Sequence, residues 1–202
     1  MKILILTIGS RGDVQPYVAL GRGLQAAGHR VRLCTGELYA DFVADYGLSY
    51  ARMDDEMVRL SDLPEGRQLI EGGGNMLNAI KMVRPMQERM MADAWAAAQD
   101  FDPELIIYHP KTLSGYHIAE KLSIPVILSL VLPLLTPTRE FANPLINRDL
   151  GGWLNKQTYK IMPLVSMPYI GVINDFRQEL GLEKVGRFFD ETLLPDGSPT
   201  PA

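Results

Sequence analysis

The chain opens on an unbroken apolar run, Ile3 to Ile8, that stops at Gly9-Ser10-Arg11-Gly12. Apolar residues without polar alternation predict a strand covered on both faces, as in a parallel sheet. From Val14 the small or apolar positions Val14, Val18, Gly21 and Leu24 share one face, and Gly28 supplies a stop signal, so a helix is expected next. Val31 to Thr35 reads as a second strand, Tyr39 to Tyr46 as a short helix closed by Gly47, and Leu48 to Met53 as a third strand. This alternation implies an α/β fold, a Rossmann-like doubly wound parallel sheet.

The stretch from Asp54 to Gly74 breaks the rhythm with acidic residues, Pro64 and three successive glycines, and reads as a mobile, partly helical excursion. Asn75 can cap a long helix running to about Gln99, in which Met76, Ala79, Val83, Met86 and Met90 share a face. That stripe suits either a core-facing helix or a ligand surface. Leu105 to Tyr108 reads as a fourth strand, Leu113 to Leu122 as a helix and Pro125 to Leu130 as a fifth strand. A proline-rich loop from Val131 to Pro144, mostly helical sequence from Leu150 to Gly181, and a linker-like tail from Pro195 complete the chain. One domain over residues 1–190 is expected, with 191–202 as linker or tail.

Composition narrows the function classes. The 202 residues are 47% hydrophobic with a formal charge of −4, and Lys and Arg are scattered, which argues against a nucleic-acid partner. The single cysteine, Cys34, lies in an apolar stretch and reads as core filler in a reducing compartment. The N-terminal apolar run is about a third of the ~20 residues a membrane span needs, and no small-residue cleavage site follows it. A cytoplasmic location is expected.

In such sheets, ligands bind beyond the carboxyl ends of the strands. The loop Gly9 to Asp13 lies there and opens a helix, but it matches neither the dinucleotide fingerprint G-x-G-x-x-G nor a P-loop. Asp13 fits two roles, cap of a helix beginning near Val14 and base that takes a proton from a hydroxyl. His29, His109 and His117 are not spaced as metal ligands, so no metal is expected. His109, at a strand end on the rim, is a candidate ligand contact; His29 and His117 read as structural. Val131, Leu132, Leu134 and Leu135 follow the fifth strand and suit either an apolar acceptor pocket or core packing.

The run Gly9-Ser10-Arg11-Gly12-Asp13-Val14-Gln15-Pro16, with Ala19-Leu20-Gly21 and Gly28-His29-Arg30-Val31, closely resembles the opening of sterol glucosyltransferases and related antibiotic glycosyltransferases. Tyr108-His109-Pro110-Lys111, Gly115 to Leu122, Ile124-Pro125 and Thr136 to Pro144 resemble the same family in the same order, over roughly residues 1–185. The resemblance implies the N-terminal half of a GT-B fold, an acceptor-binding domain of the glycosyltransferase family 28 type. It implies an inverting transfer from a UDP-sugar co-substrate to a hydroxylated apolar or lipid acceptor, with Asp13 as base and no cofactor. Ser10, Arg11 and Gly12 would contact the donor or transition state. His109 and the Val131 to Leu135 cluster would meet the acceptor. The His- and Gly-rich donor segment of the family has no counterpart in these residues, so a C-terminal donor-binding domain, in cis or trans, is the implied partner, and the chain alone is expected to be inactive. Peripheral membrane contact would accompany a lipid acceptor. A non-catalytic acceptor-binding module working with a separate donor-domain chain is the other reading.

Overall fold

The computed structural model describes residues 1–62, 76–146, 148–161 and 167–186. Five parallel strands form one sheet: β1 (Lys2–Leu6), β2 (Arg30–Gly36), β3 (Ser49–Met53), β4 (Leu105–Tyr108) and β5 (Val126–Leu128). Their spatial order is β3-β2-β1-β4-β5. The chain therefore moves outward from β1 in one direction, returns, and moves outward in the other. The switch lies between β1 and β4, which pair with Ile5 opposite Ile107 and Leu6 opposite Tyr108.

Because side chains alternate across a strand, β1 supplies two cores. Ile3 and Ile5 pack with Val14, Tyr17 and Val18 of helix α1 (Arg11–Ala26) and Val43 of α2 (Ala40–Asp45). Leu4 and Leu6 face the opposite side, where Met90, Met91, Ala94 and Ala98 of a long helix form the floor. That face also holds Tyr116, Ile118 and Ala119, and then Val172, Ile173 and Phe176. A short helix α3 (Glu56–Asp62) precedes the long one, which is α4 (Met76–Phe101); the later two are α5 (Gly115–Leu122) and, after α6 (Gly152–Thr158), α7 (Ile170–Glu179). A fully buried Leu, Ile or Met side chain in these layers contributes about 1.5–3 kcal/mol relative to exposure.

The expected strand and helix order holds, and boundaries move where local chemistry outweighs periodicity. The first helix begins at Arg11 rather than near Val14, because Ser10 is its N-cap and Asp13 is already its third residue. It ends in a Schellman turn: the Gly28 N–H donates to the Gln25 carbonyl at 2.9 Å and the His29 N–H to the Leu24 carbonyl at 3.1 Å. Gly28 takes the required positive φ of 87°. β5 is shorter than the apolar run Pro125 to Leu130 suggests, since Pro125 donates no ladder bond and Ser129 leaves the sheet after its N–H reaches the Tyr108 carbonyl. The helix expected from Leu113 begins at Gly115, after a 3₁₀ turn over Pro110–Thr112.

Met86 and Met90 of the methionine stripe are buried in the α4 face that packs on the core, as core-facing side chains would be. Met76 and Ala79, most of the Asp54 to Gly74 excursion, the Asn75 cap and the tail from Pro195 lie outside the described residues or side chains. Cys34 is free and fully buried, and burial pushes its thiol pKa up.

His117 and the C-terminal helix meet in one polar cluster. Arg177 of α7, 4% exposed, donates to both Glu120 oxygens at 2.6 and 3.0 Å, lies 2.9 Å from His117 Nδ1, and donates from Nε to the Glu183 carbonyl at 2.5 Å. The bidentate pair joins α7 to α5. Among the described residues, no helix is long and apolar enough to cross a membrane.

Candidate active site

At the switch between β1 and β4 the carboxyl ends of both strands lie side by side on one rim, and the loops after them place their polar side chains together there. The loop after β1 is shaped by Gly9, whose φ of 136° few other residues adopt. A Cβ on Gly9 would lie 2.3 Å from Asp13 Oδ2. Backbone and carboxylate thus approach within a space that no side chain can share.

Asp13 is buried, yet it sits next to exposed residues. Its Oδ2 accepts three hydrogen bonds: from the Ser10 N–H at 2.8 Å, the Ser10 hydroxyl at 3.0 Å and the Lys111 ammonium at 2.9 Å. The reach back to Ser10 is the acidic arm of a capping box, so Asp13 supports the helix end without being the cap itself. Its backbone carbonyl accepts from the Thr7 hydroxyl at 2.7 Å, which ties the helix start to the end of β1.

His109 comes from the loop after β4 and lies against the other oxygen, with Nε2 3.5 Å from Asp13 Oδ1. Its Nδ1 accepts the Lys111 N–H at 3.1 Å. An acceptor at Nδ1 leaves the neutral ring's proton on Nε2, facing the carboxylate. Burial pushes the His109 pKa down to about 4, with the Lys111 charge acting in the same sense and Asp13 opposing. The ring is therefore neutral at pH 7, and both of its nitrogens are committed: one accepts and the other carries a proton.

For Asp13, burial alone would raise the pKa, but the Lys111 ammonium and the Ser10 donors outweigh it and hold the carboxyl below its ordinary value. Asp13 is thus ionised at neutral pH and is the group here with basic lone pairs directed to the rim. Tyr17 closes the cluster from α1: its ring meets His109 edge-on at 6.0 Å, and its hydroxyl donates to the Ser129 carbonyl at 2.7 Å. Burial raises the Tyr17 pKa, so it remains a neutral donor that fixes the end of β5 against α1.

The structure thus joins Asp13, Ser10 and His109 and adds Lys111, to which no local pattern in the sequence gives a role. Its signal was present in Tyr108-His109-Pro110-Lys111, but the pairing of Lys111 with Asp13 spans 98 positions and is created by the β1–β4 neighbourhood. Arg11 is not brought to Asp13. Its Nε donates to Gln15 at 3.1 Å and its guanidinium lies over the Phe42 ring at 5.2 Å. Gly12 is exposed in the first turn of α1.

The apolar residues after β5 are dispersed. Val131 packs partly against the core on the α1 side of the sheet and Leu135 against the core on the α4 side. Leu134 is half-buried, and Leu132 is 54% exposed. His29 is half-buried at the Schellman turn. Among the described residues no group of three His, Cys, Asp or Glu is placed to hold a metal ion.

The family model for the glycosyltransferase family 28 N-terminal domain matches residues 3–139. The chain is 35% identical over 184 residues to UDP-sugar-dependent glycosyltransferase 52 of Dictyostelium discoideum, covering 89% of this chain and 11% of that protein. It is 37% identical over 165 residues to a sterol 3-beta-glucosyltransferase of Glomerella lagenarium, covering 79% of this chain and 11% of that one. Among solved structures, the Streptomyces sp. SF2575 glycosyltransferase SsfS6 matches with a TM-score of 0.55 at 26% identity, over 91% of this chain and 47% of that chain. The calicheamicin glycosyltransferase CalG4 shares the fold with a TM-score of 0.58 at 20% identity, over 90% and 43%. The chain therefore spans about a tenth of the length of the curated relatives it matches and under half of these solved chains. Its five-stranded α/β sheet is the N-terminal half of a GT-B fold.

Proposed function

The chain belongs to the glycosyltransferase family 28 N-terminal domain family, and from that premise we propose that it is the acceptor-binding half of an inverting, UDP-sugar-dependent glycosyltransferase. The acceptor is a hydroxyl on a sterol, lipid or other apolar natural product. The observation that carries this reading is Asp13: an ionised carboxylate at the topological switch point, with an exposed ammonium and an exposed serine on the oxygen turned to the rim.

In the proposed reaction the acceptor O–H gives its proton to Asp13 while its oxygen forms a bond to the anomeric carbon of the donor sugar. The bond from that carbon to the diphosphate oxygen breaks, and UDP leaves from the opposite face, so the configuration inverts. His109 does not compete as base, because its accepting nitrogen is used and its other nitrogen already holds a proton. Its Nε2 lies 3.5 Å from Oδ1 and closes the buried side of the carboxylate. The reaction as written uses no metal. Most of the donor is bound by a C-terminal domain, so these 202 residues alone bind acceptor without transferring sugar.

Exposed Leu132, Phe141, Leu145, Leu150, Trp153 and Leu154 support an apolar acceptor and, where that acceptor is a lipid, peripheral contact with its membrane. The test is Asp13→Asn in the chain completed with a donor-binding domain. Asparagine keeps an acceptor for the Ser10 N–H but cannot take the proton, so turnover should fall by about 10² to 10⁴ with acceptor saturating. Near-normal turnover would remove Asp13 from the role of base and favour the non-catalytic module.

A further inference from the structure

The two oxygens of Asp13 face different surroundings. Oδ1 looks toward the His109 side chain, which is 4% exposed, and Oδ2 looks toward the Lys111 side chain, which is 52% exposed. A hydroxyl arriving from the solvent-exposed side therefore meets Oδ2. That oxygen already accepts three hydrogen bonds, which leaves no room for a fourth partner. One donor has to leave. The Ser10 N–H is held at the N-cap of α1 by the capping box, and a turn of the Ser10 hydroxyl alone would leave the carboxylate still paired with its counter-charge. The Lys111 ammonium stands on a flexible four-carbon stem that opens to solvent and can swing away into water at the loss of one ion pair.

We propose that Lys111 is a positioning residue whose ammonium occupies Asp13 Oδ2 in the empty site and surrenders it to the acceptor hydroxyl. While it is in place, the carboxylate is held ionised and in its working rotamer. When it leaves, burial is no longer offset by a counter-charge, so the same carboxylate becomes a stronger base at the moment a proton is available. Lys111 thus separates two requirements that conflict at a buried base: being charged before substrate arrives, and being basic afterwards.

The other groups around Asp13 do not take over this role. His109 is neutral, Tyr17 is a neutral donor committed to Ser129, and Arg11 is engaged with Gln15 and Phe42. Among the described residues, Lys111 forms the one ion pair to Asp13 that is charged at neutral pH. The inference rests on the transferase reading for the identity of the incoming hydroxyl, but its first test does not.

That test is a carbon-13 NMR titration of the Asp13 carboxyl in the chain itself, with the signal assigned by its loss in Asp13→Asn. Lys111→Met should move the titration midpoint to higher pH, and Lys111→Arg, which keeps the charge, should leave it close to wild type. An unmoved midpoint in Lys111→Met overturns the proposal whether or not the chain transfers sugar. Lys111 is exposed in a 3₁₀ turn, so Lys111→Arg should melt as wild type does, and Lys111→Met should lose at neutral pH only the stability linked to the raised Asp13 midpoint. In the chain completed with a donor-binding domain, Lys111→Met should shift the acid limb of kcat/KM to higher pH while kcat on the plateau is kept or raised. A kcat lowered tenfold or more at every pH with the limb in place would instead assign Lys111 to the donor diphosphate and overturn the proposal. If the wild-type pair shows no transfer at all, the function proposed above fails, and the NMR midpoint still decides what Lys111 does to Asp13.

Discussion

Around Asp13, polar atoms meet partners within a few residues or across the β1–β4 boundary, while the described residues between Val131 and Ile161 turn large apolar side chains outward. The first region is a tight corner: Gly9 lies against the carboxylate, Thr7 and Ser10 fix both sides of the loop, and Tyr17 ties α1 to the end of β5. The second region contains no strand and only one short α-helix, and two buried asparagines hold it together. The Asn143 N–H donates to the Thr158 hydroxyl and its side-chain amide to the Leu134 carbonyl, at 2.7 and 2.9 Å. Asn155 accepts from the Leu150 N–H and donates to the Arg139 carbonyl and to Asp149, at 2.9, 3.1 and 2.8 Å. Trp153, 65% exposed, sits two residues before this staple. On the proposed reading, the contrast separates a tightly bonded place for chemistry from a wall that would accept apolar ligands of different shape.

The rigidity of the corner can be tested at Gly9. Gly9→Ala should cost about 1–3 kcal/mol through its backbone conformation. It should also push Asp13 off Ser10, because the new Cβ would lie within 2.3 Å of Oδ2. In the completed enzyme the loss of turnover should then approach that of Asp13→Asn. Thermal melting together with turnover checks this, and a variant that retains both would show that the corner yields.

The buried neutral ring of His109 gives the corner a second signature. The unfolded chain binds a proton at His109 near pH 6.5, while the folded chain refuses it until about pH 4. Stability should therefore be full above pH 6.5 and fall as the pH drops to 4, by up to about 3 kcal/mol at 1.36 kcal/mol per pH unit. Asp13 acts in a lower window, since its folded pKa lies below the ordinary carboxylate value and its contribution is lost only as the pH falls through that folded pKa. Denaturant melts of wild type and His109→Gln across this range should show the upper slope in the wild type alone.

On the apolar side, Asn155→Ala leaves the Leu150 N–H and the Arg139 carbonyl without their partner, and should cost about 1–3 kcal/mol. Its distinguishing result is a split: acceptor affinity falls while the Asp13 carboxyl titrates as before. A matching change in the Asp13 midpoint would mean that the two regions form one unit.

How much of this was legible beforehand follows from the range of the interactions. The doubly wound order was readable because each strand and helix announces itself through its own periodicity, as in Ile3 to Ile8 and in the Gly28 stop. Asp13 was readable as a candidate because its loop follows the first strand. The residue that holds it ionised was not, since nothing near Lys111 in sequence refers to a carboxylate 98 positions away. The loop after β5 was open between pocket and core for a similar reason: Val131, Leu132, Leu134 and Leu135 look alike as a string, yet they are divided between two faces of the sheet and solvent.

The sequence by itself determined the alternating elements, the stops that close α1 and α2, and the glycine that lets a carboxylate approach the backbone. These are local matters, settled by side-chain periodicity and by the φ values a residue tolerates within a few positions. Only the tertiary structure decided that His109 and Lys111 face Asp13, that His109 is neutral with its proton toward the carboxylate, and which apolar residues stay exposed. Those depend on the pairing of β1 with β4 and on removal from water, and both arise when distant segments pack together.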